Sequence, residues 1–168
     1  MKKNKKVILY GAVVVVAVAF LFWLANTSTS GSKPVTYSQG YMSTEESSFD
    51  FGTINMNNGK VTHGFKLTND SSEAVKIQKA YTSCMCTTAF ITDSAGIKYG
   101  EFGMGGHGLQ NDVDVELMPG ENMMLDVVFD PAAHGPSGVG LAQRFVYLET
   151  NSAESPKLEV SFQAMVTR

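Results

Sequence analysis

From residue 48 onward, hydrophobic and polar positions alternate with a period of two. In residues 60–68, Val61, His63, Phe65 and Leu67 alternate with Thr62, Gly64, Lys66 and Thr68. Successive side chains of a strand point to opposite faces, so this pattern predicts a strand with one buried face. Asn69-Asp70-Ser71-Ser72 is turn chemistry, and Val75 and Ile77 open the next alternating run. Met123, Leu125, Val127 and Phe129 form another, stopped by Asp130-Pro131. Residues 145–150 are rich in β-formers and end at Asn151-Ser152. Leu158, Val160, Phe162, Ala164 and Val166 make one face of a last strand, and residues 49–54 and 113–117 are shorter candidates. No segment after residue 25 keeps a 3.6-residue period. About seven short strands over residues 48–168 predict an all-β fold, an immunoglobulin-like antiparallel β-sandwich.

Two stretches break the rhythm. Residues 7–25, VILYGAVVVVAVAFLFWLA, carry no charge over 19 positions. At about 1.5 Å per residue they reach roughly 28 Å, the scale of a bilayer's hydrocarbon core. Lys2, Lys3, Lys5 and Lys6 precede them in a basic flank over residues 1–6, and Trp23 lies near the far end. That asymmetry predicts one transmembrane helix with a cytoplasmic N-terminus and an extracytoplasmic domain, in a periplasm or at a cell surface. The apolar run is longer than a signal-peptide core of about 7–15 residues, and Phe22-Trp23-Leu24-Ala25 is a poor cleavage context. Residues 26–47, rich in Ser, Thr and Gly, read as a linker. The second break is residues 92–112, TDSAGIKYGEFGMGGHGLQND, a glycine-rich insertion long enough to be functional or simply solvated.

Charge narrows the partners. Four of the thirteen basic residues precede the apolar stretch, leaving nine against sixteen acidic ones in the rest of the chain. An acidic domain without a basic patch excludes nucleic acid as the natural partner. The partners expected are the membrane, through the N-terminal helix, and a protein of unstated identity. Enzyme motifs are missing: there is no G-x-S-x-G elbow, no H-E-x-x-H helix and no phosphate-binding glycine loop followed by a lysine. The expectation is a binding or interaction module, not an enzyme.

The order of short motifs adds a resemblance. FDFGTI at residues 49–54, His63-Gly64-Phe65, Thr68-Asn69, Ser83-Cys84-Met85-Cys86-Thr87, Pro119-Gly120-Glu121, Phe129-Asp130-Pro131 and Thr150-Asn151 follow one another. This series resembles the domain-of-unknown-function 1573 family, extracytoplasmic immunoglobulin-like domains with an SCGCT core. The resemblance covers residues 48–168 and implies the same fold, with no assigned reaction. Met85 stands where the family pattern has glycine, and the glycine-rich insertion lengthens the stretch before Pro119.

Candidate chemistry centres on Cys84 and Cys86, the only two cysteines. On an extended strand their Cα atoms would lie about 6.6 Å apart on one face, the outer limit for a disulfide. Two thiolates so placed could instead pinch a soft metal. His107 and Met104 in GMGGHG, and His134 in DPAAHGPSG, are the further ligands that loops could bring to them. Thiolate with imidazole and thioether suits copper, and thiolate with imidazole alone suits zinc. Buried thiols, a local disulfide or a thiol–disulfide redox pair explain the cysteines equally well, as does a purely structural surface domain. Met85, Met118, Met123 and Met124 read as packing, His63 as a satisfied sheet histidine, and Asp112, Asp114 and Glu116 as a solvated strand face.

Overall fold

A computed structural model describes residues 10, 13–23, 37–106 and 111–168. The chain divides into two units, residues 1–35 and 36–168. In the first, residue 10 and residues 13–23 are helical. Among the described residues no helix is long and apolar enough to cross a membrane. Both ends of the apolar stretch 7–25, and residues 26–36 of the expected linker, lie outside the described residues.

The second unit is all-β, two five-stranded sheets rather than about seven strands in total. Its strands are β1 Ser43–Thr44, β2 Ser48–Asn55, β3 Val61–Thr68, β4 Val75–Thr82, β5 Thr87–Thr92, β6 Lys98–Phe102, β7 Asp112–Leu117, β8 Asn122–Phe129, β9 Gly140–Thr150 and β10 Lys157–Thr167. One sheet runs β1-β3-β8-β5-β6 and the other β2-β10-β9-β4-β7. The expectation of a wholly antiparallel fold needs one correction. β2 pairs parallel to β10, with Phe49 opposite Phe162, so the second sheet is mixed. The insertion also differs from a plain loop, because β6 occupies residues 98–102 and pairs with β5.

The alternating residues make the core. Phe65, Leu67, Leu125, Val127 and Ile91 from one sheet meet Ile77, Val146, Leu148, Val160 and Phe162 from the other, all essentially without exposure. Burying each such side chain stabilises the fold by about 1.5–3 kcal/mol relative to leaving it in water. The alternation slips once, in β4. A register shift between Ile77 and Lys79 moves the inward face from Val75 and Ile77 to Ala80 and Thr82. Such a bulge changes which side chains face the core beyond it.

Residues before 48 also contact the sandwich. The Ser38 backbone N–H donates to the Asn151 carbonyl at 2.9 Å, and Met42 is buried, so residues 37–47 pack on the domain. Chain entry is therefore at the end of the sandwich where β4 begins. Asn69, fully buried there, donates from Nδ2 to the carbonyls of Glu73 and Leu117, each at 2.8 Å. His63 behaves as a satisfied sheet histidine: it stacks on Phe49 and its Nε2 lies 2.7 Å from Glu46. The methionine expectation holds only for Met123, since Met85 is 64% exposed and Met118 and Met124 are exposed too.

Candidate functional site

The cysteines lie in a turn, not on a strand. β4 ends at Thr82, β5 begins at Thr87, and residues 83–86 reverse the chain between the two sheets. The Thr87 N–H donates to the Cys84 carbonyl at 3.1 Å and closes the turn. The buried Thr82 hydroxyl lies 2.9 Å from the Cys84 carbonyl and 3.0 Å from that of Thr87, so its one proton is shared across the turn. Ser83 is tied to β9, its N–H donating to the Phe145 carbonyl and its Oγ accepting the Phe145 N–H, both at 2.9 Å. Reversing the chain folds the Cys84 side chain back toward its neighbour, and the Cys86 N–H donates to Cys84 Sγ at 3.4 Å.

Pairing of β5 with β8 supplies the third group. Thr87 stands opposite Phe129, so the residues after Phe129 run alongside the residues before Thr87. The Asp130 N–H donates to the Cys86 carbonyl at 2.9 Å, which fixes this crossing. Four residues later the loop presents His134. Gly135, with φ +55°, takes a left-handed conformation that favours glycine, and a short 3-10 turn over Gly135–Gly138 follows. The Ser137 hydroxyl donates to the His134 carbonyl at 2.7 Å. His134 Nε2 thereby lies 3.1 Å from Cys84 Sγ. One ligand atom each from Cys84, Cys86 and His134 falls within 4.8 Å of the other two.

Of the other expected ligands, His107 lies outside the described residues. Met104 is placed by its backbone, which bridges to Thr82 while the Thr82 N–H donates to the Gly103 carbonyl at 3.1 Å. The glycine-rich insertion thus returns to the chain two residues before Cys84. A cleft of about 270 Å³ opens beside Cys86, and Lys60, Met85, Glu101, Asp130 and Ala133 help to line it.

One residue of the site escaped the sequence reading. Arg144 Nε donates to Cys86 Sγ at 3.1 Å, and its Nη1 donates to the Gln143 carbonyl at 2.7 Å. The signal was present: Ala142, Val146, Leu148 and Thr150 form the buried face of β9, and Arg144 holds the same parity. An arginine at a core-facing position needs a counter-charge or a set of acceptors.

This surrounding sorts the two thiols. Burial alone pushes Cys84 up, but hydrogen bonds from the Cys86 thiol, the Cys86 N–H and His134, with the charge of Arg144, bring it down to about 7. Burial and the hydrogen bond with Cys84 push the Cys86 thiol up, against the opposing pull of Arg144 and Thr87. Burial works against the charge on Arg144, but contact with the cysteines outweighs it and holds the guanidinium more firmly protonated. Near neutral pH the pair readily carries one negative charge that accepts hydrogen bonds. Half-buried thiolate beside an exposed imidazole can ligate a soft metal or exchange with a disulfide.

One structural comparison supports the fold, and the family that matches has no described function. No curated protein matches the sequence. A crystal structure of a protein of unknown function from Porphyromonas gingivalis is similar over 82% of this chain, with a TM-score of 0.53 and 12% identity. This chain spans about half of that protein, 51%. A PapD-like domain of human CEP192 is similar over 84% of this chain and 96% of its own, with a TM-score of 0.47 and 14% identity. The Escherichia coli chaperone DraB is similar over 76% of this chain and 55% of its own, with a TM-score of 0.41 and 8% identity. Residues 42–104, which include both cysteines but neither His134 nor Arg144, match the family described as "Protein of unknown function (DUF1573)".

Proposed function

We propose that this chain is a membrane-tethered, extracytoplasmic binding module that holds a soft metal ion, copper or zinc, at Cys84, Cys86 and His134. The observation that carries the reading is the convergence of three soft or borderline donors, from two loops far apart in sequence, within 4.8 Å of one another. Metal–sulfur distances of about 2.3 Å and metal–nitrogen distances of about 2.0–2.1 Å are compatible with donors so spaced. The reading needs only these three donors, without Met104 or His107 of the insertion. The tether rests on the uncharged residues 7–25 and their lysine flank. The chain enters the sandwich where β4 begins, and the donors lie just past its end, roughly 25 Å away at about 3.3 Å per residue.

The test is metal content. Purified full chain, reduced and exposed to copper or zinc, is expected to retain one ion, and Cys84→Ser and His134→Ala to lose it. Equal content in the wild type and Cys84→Ser would sink the metal reading. A second reading is favoured by the closeness of the pair, the Cys86 N–H lying 3.4 Å from Cys84 Sγ, together with a Cys84 thiol lowered to about 7. It makes Cys84 and Cys86 a thiol–disulfide pair, strained because the two residues are so close in sequence. Thiol titration in graded glutathione buffers separates the readings. Cysteines that never leave the dithiol state exclude the redox role.

A further inference from the structure

Arg144 is charged and in register with the buried face of β9. Among the described residues it makes no ion pair with a carboxylate, because all four such pairs involve other side chains. Its Nε instead points at a sulfur, 3.1 Å away. A guanidinium aimed at a metal-binding thiolate is a statement about the charge of the complex. Two thiolates and a neutral imidazole give a zinc complex no net charge, and the adjacent arginine would then leave the half-buried site cationic. The same donors around monovalent copper give a complex of charge −1, which one arginine neutralises. Lys60, Glu101 and Asp130 also line the cleft beside Cys86, but none of them has a contact with the sulfur like that of Arg144.

We infer that Arg144 sets the metal preference of this site, favouring a three-donor complex of monovalent copper with Cys84 Sγ, Cys86 Sγ and His134 Nε2 over zinc. The inference rests on the soft-metal reading above. The physical argument concerns a difference. Both metals gain equally from thiolates that Arg144 stabilises, but a divalent ion feels twice the repulsion of a monovalent one from the same positive charge. Removing that charge therefore favours zinc relative to copper. Coordination preference points the same way, since thiolates with one imidazole suit Cu(I), whereas structural zinc sites are almost always four-coordinate.

The experiment titrates reduced full chain, without oxygen, with Cu(I) against bicinchoninate and separately with Zn(II) against a chromophoric chelator. The ratio of copper to zinc affinity is expected to fall about tenfold or more in Arg144→Gln, the scale on which groups around a metal's ligands act. Arg144→Lys, which keeps the charge, should restore most of it. X-ray absorption of the copper-loaded wild type should show two sulfurs and one nitrogen. That measurement stands even if Arg144→Gln fails to fold. An unchanged ratio in Arg144→Gln, or a fourth protein donor at copper, would overturn the inference. Metal binding by Cys84→Ser as tight as wild type would instead remove the site itself, a result distinct from a loss of selectivity alone.

Discussion

At the scale of single residues, Cys84 is the group whose chemistry is set most sharply by its neighbours. Its thiol lies near 7 through hydrogen bonds from Cys86 and His134 and the charge of Arg144, although burial opposes ionisation. The thiolate is the nucleophile, so reactivity rises as pH rises. In reduced, metal-free chain, iodoacetamide labelling of Cys84 should grow about tenfold per pH unit in acid and level off above neutrality. Its midpoint should lie near pH 7. Cys86, pushed the other way, should label later. Mass spectrometry of each cysteine across the range checks this, and identical profiles at the two positions would defeat it. Asn69 carries a prediction of another kind. It is fully buried and spans the Glu73 and Leu117 carbonyls. Asn69→Ala leaves both acceptors without that donor, at a cost of about 2–4 kcal/mol in urea unfolding. Because this end of the sandwich is remote from the cysteines, its metal content should not change.

At the scale of elements, alternation made most of the sandwich legible. The inward faces of β3, β8 and β10 follow the pattern in the sequence residue for residue. β4 does not, because the bulge between Ile77 and Lys79 reverses its inward face, and no local signal in Lys76-Ile77-Gln78-Lys79 announces it. That slip has a consequence for the site. It turns Thr82 inward, where its hydroxyl holds the carbonyls of Cys84 and Thr87. The cysteines were legible as residues but not as geometry, since their turn is imposed by hydrogen bonds to Thr82 and Phe145 and by the reach of Asp130 to Cys86. His134 stood out as a loop histidine, yet its meeting with Cys84 depends on Thr87 facing Phe129, a pairing between distant segments. Arg144 was legible from parity alone. If Thr82 shapes the site through the turn, Thr82→Val should cost about 1–2 kcal/mol of stability. It should also weaken metal binding, whereas Thr92→Val, at the far end of β5, should leave binding unchanged. Equal metal affinities in Thr82→Val and wild type would assign Thr82 to stability only.

At the scale of the whole molecule, core and charge divide the chain in the same place. Every buried hydrophobic side chain described lies between Met42 and Val166, within the second unit. All four lysines of the N-terminal flank lie on the other side of that division, before an uncharged run that has no polar face to turn to water. A fold whose described core lies in one unit should survive removal of the run, and a run this apolar should hold the chain in a bilayer. The full chain is therefore expected to stay with membranes through high salt and alkaline carbonate, which strip proteins held by charge or by other proteins. Residues 37–168 expressed alone should be released, keep a cooperative thermal transition and bind metal as the full chain does. Extraction of the full chain by carbonate would remove the tether from the proposal and leave the metal site untouched. Loss of metal binding in residues 37–168, with the thermal transition intact, would mean that the N-terminal unit contributes to the site.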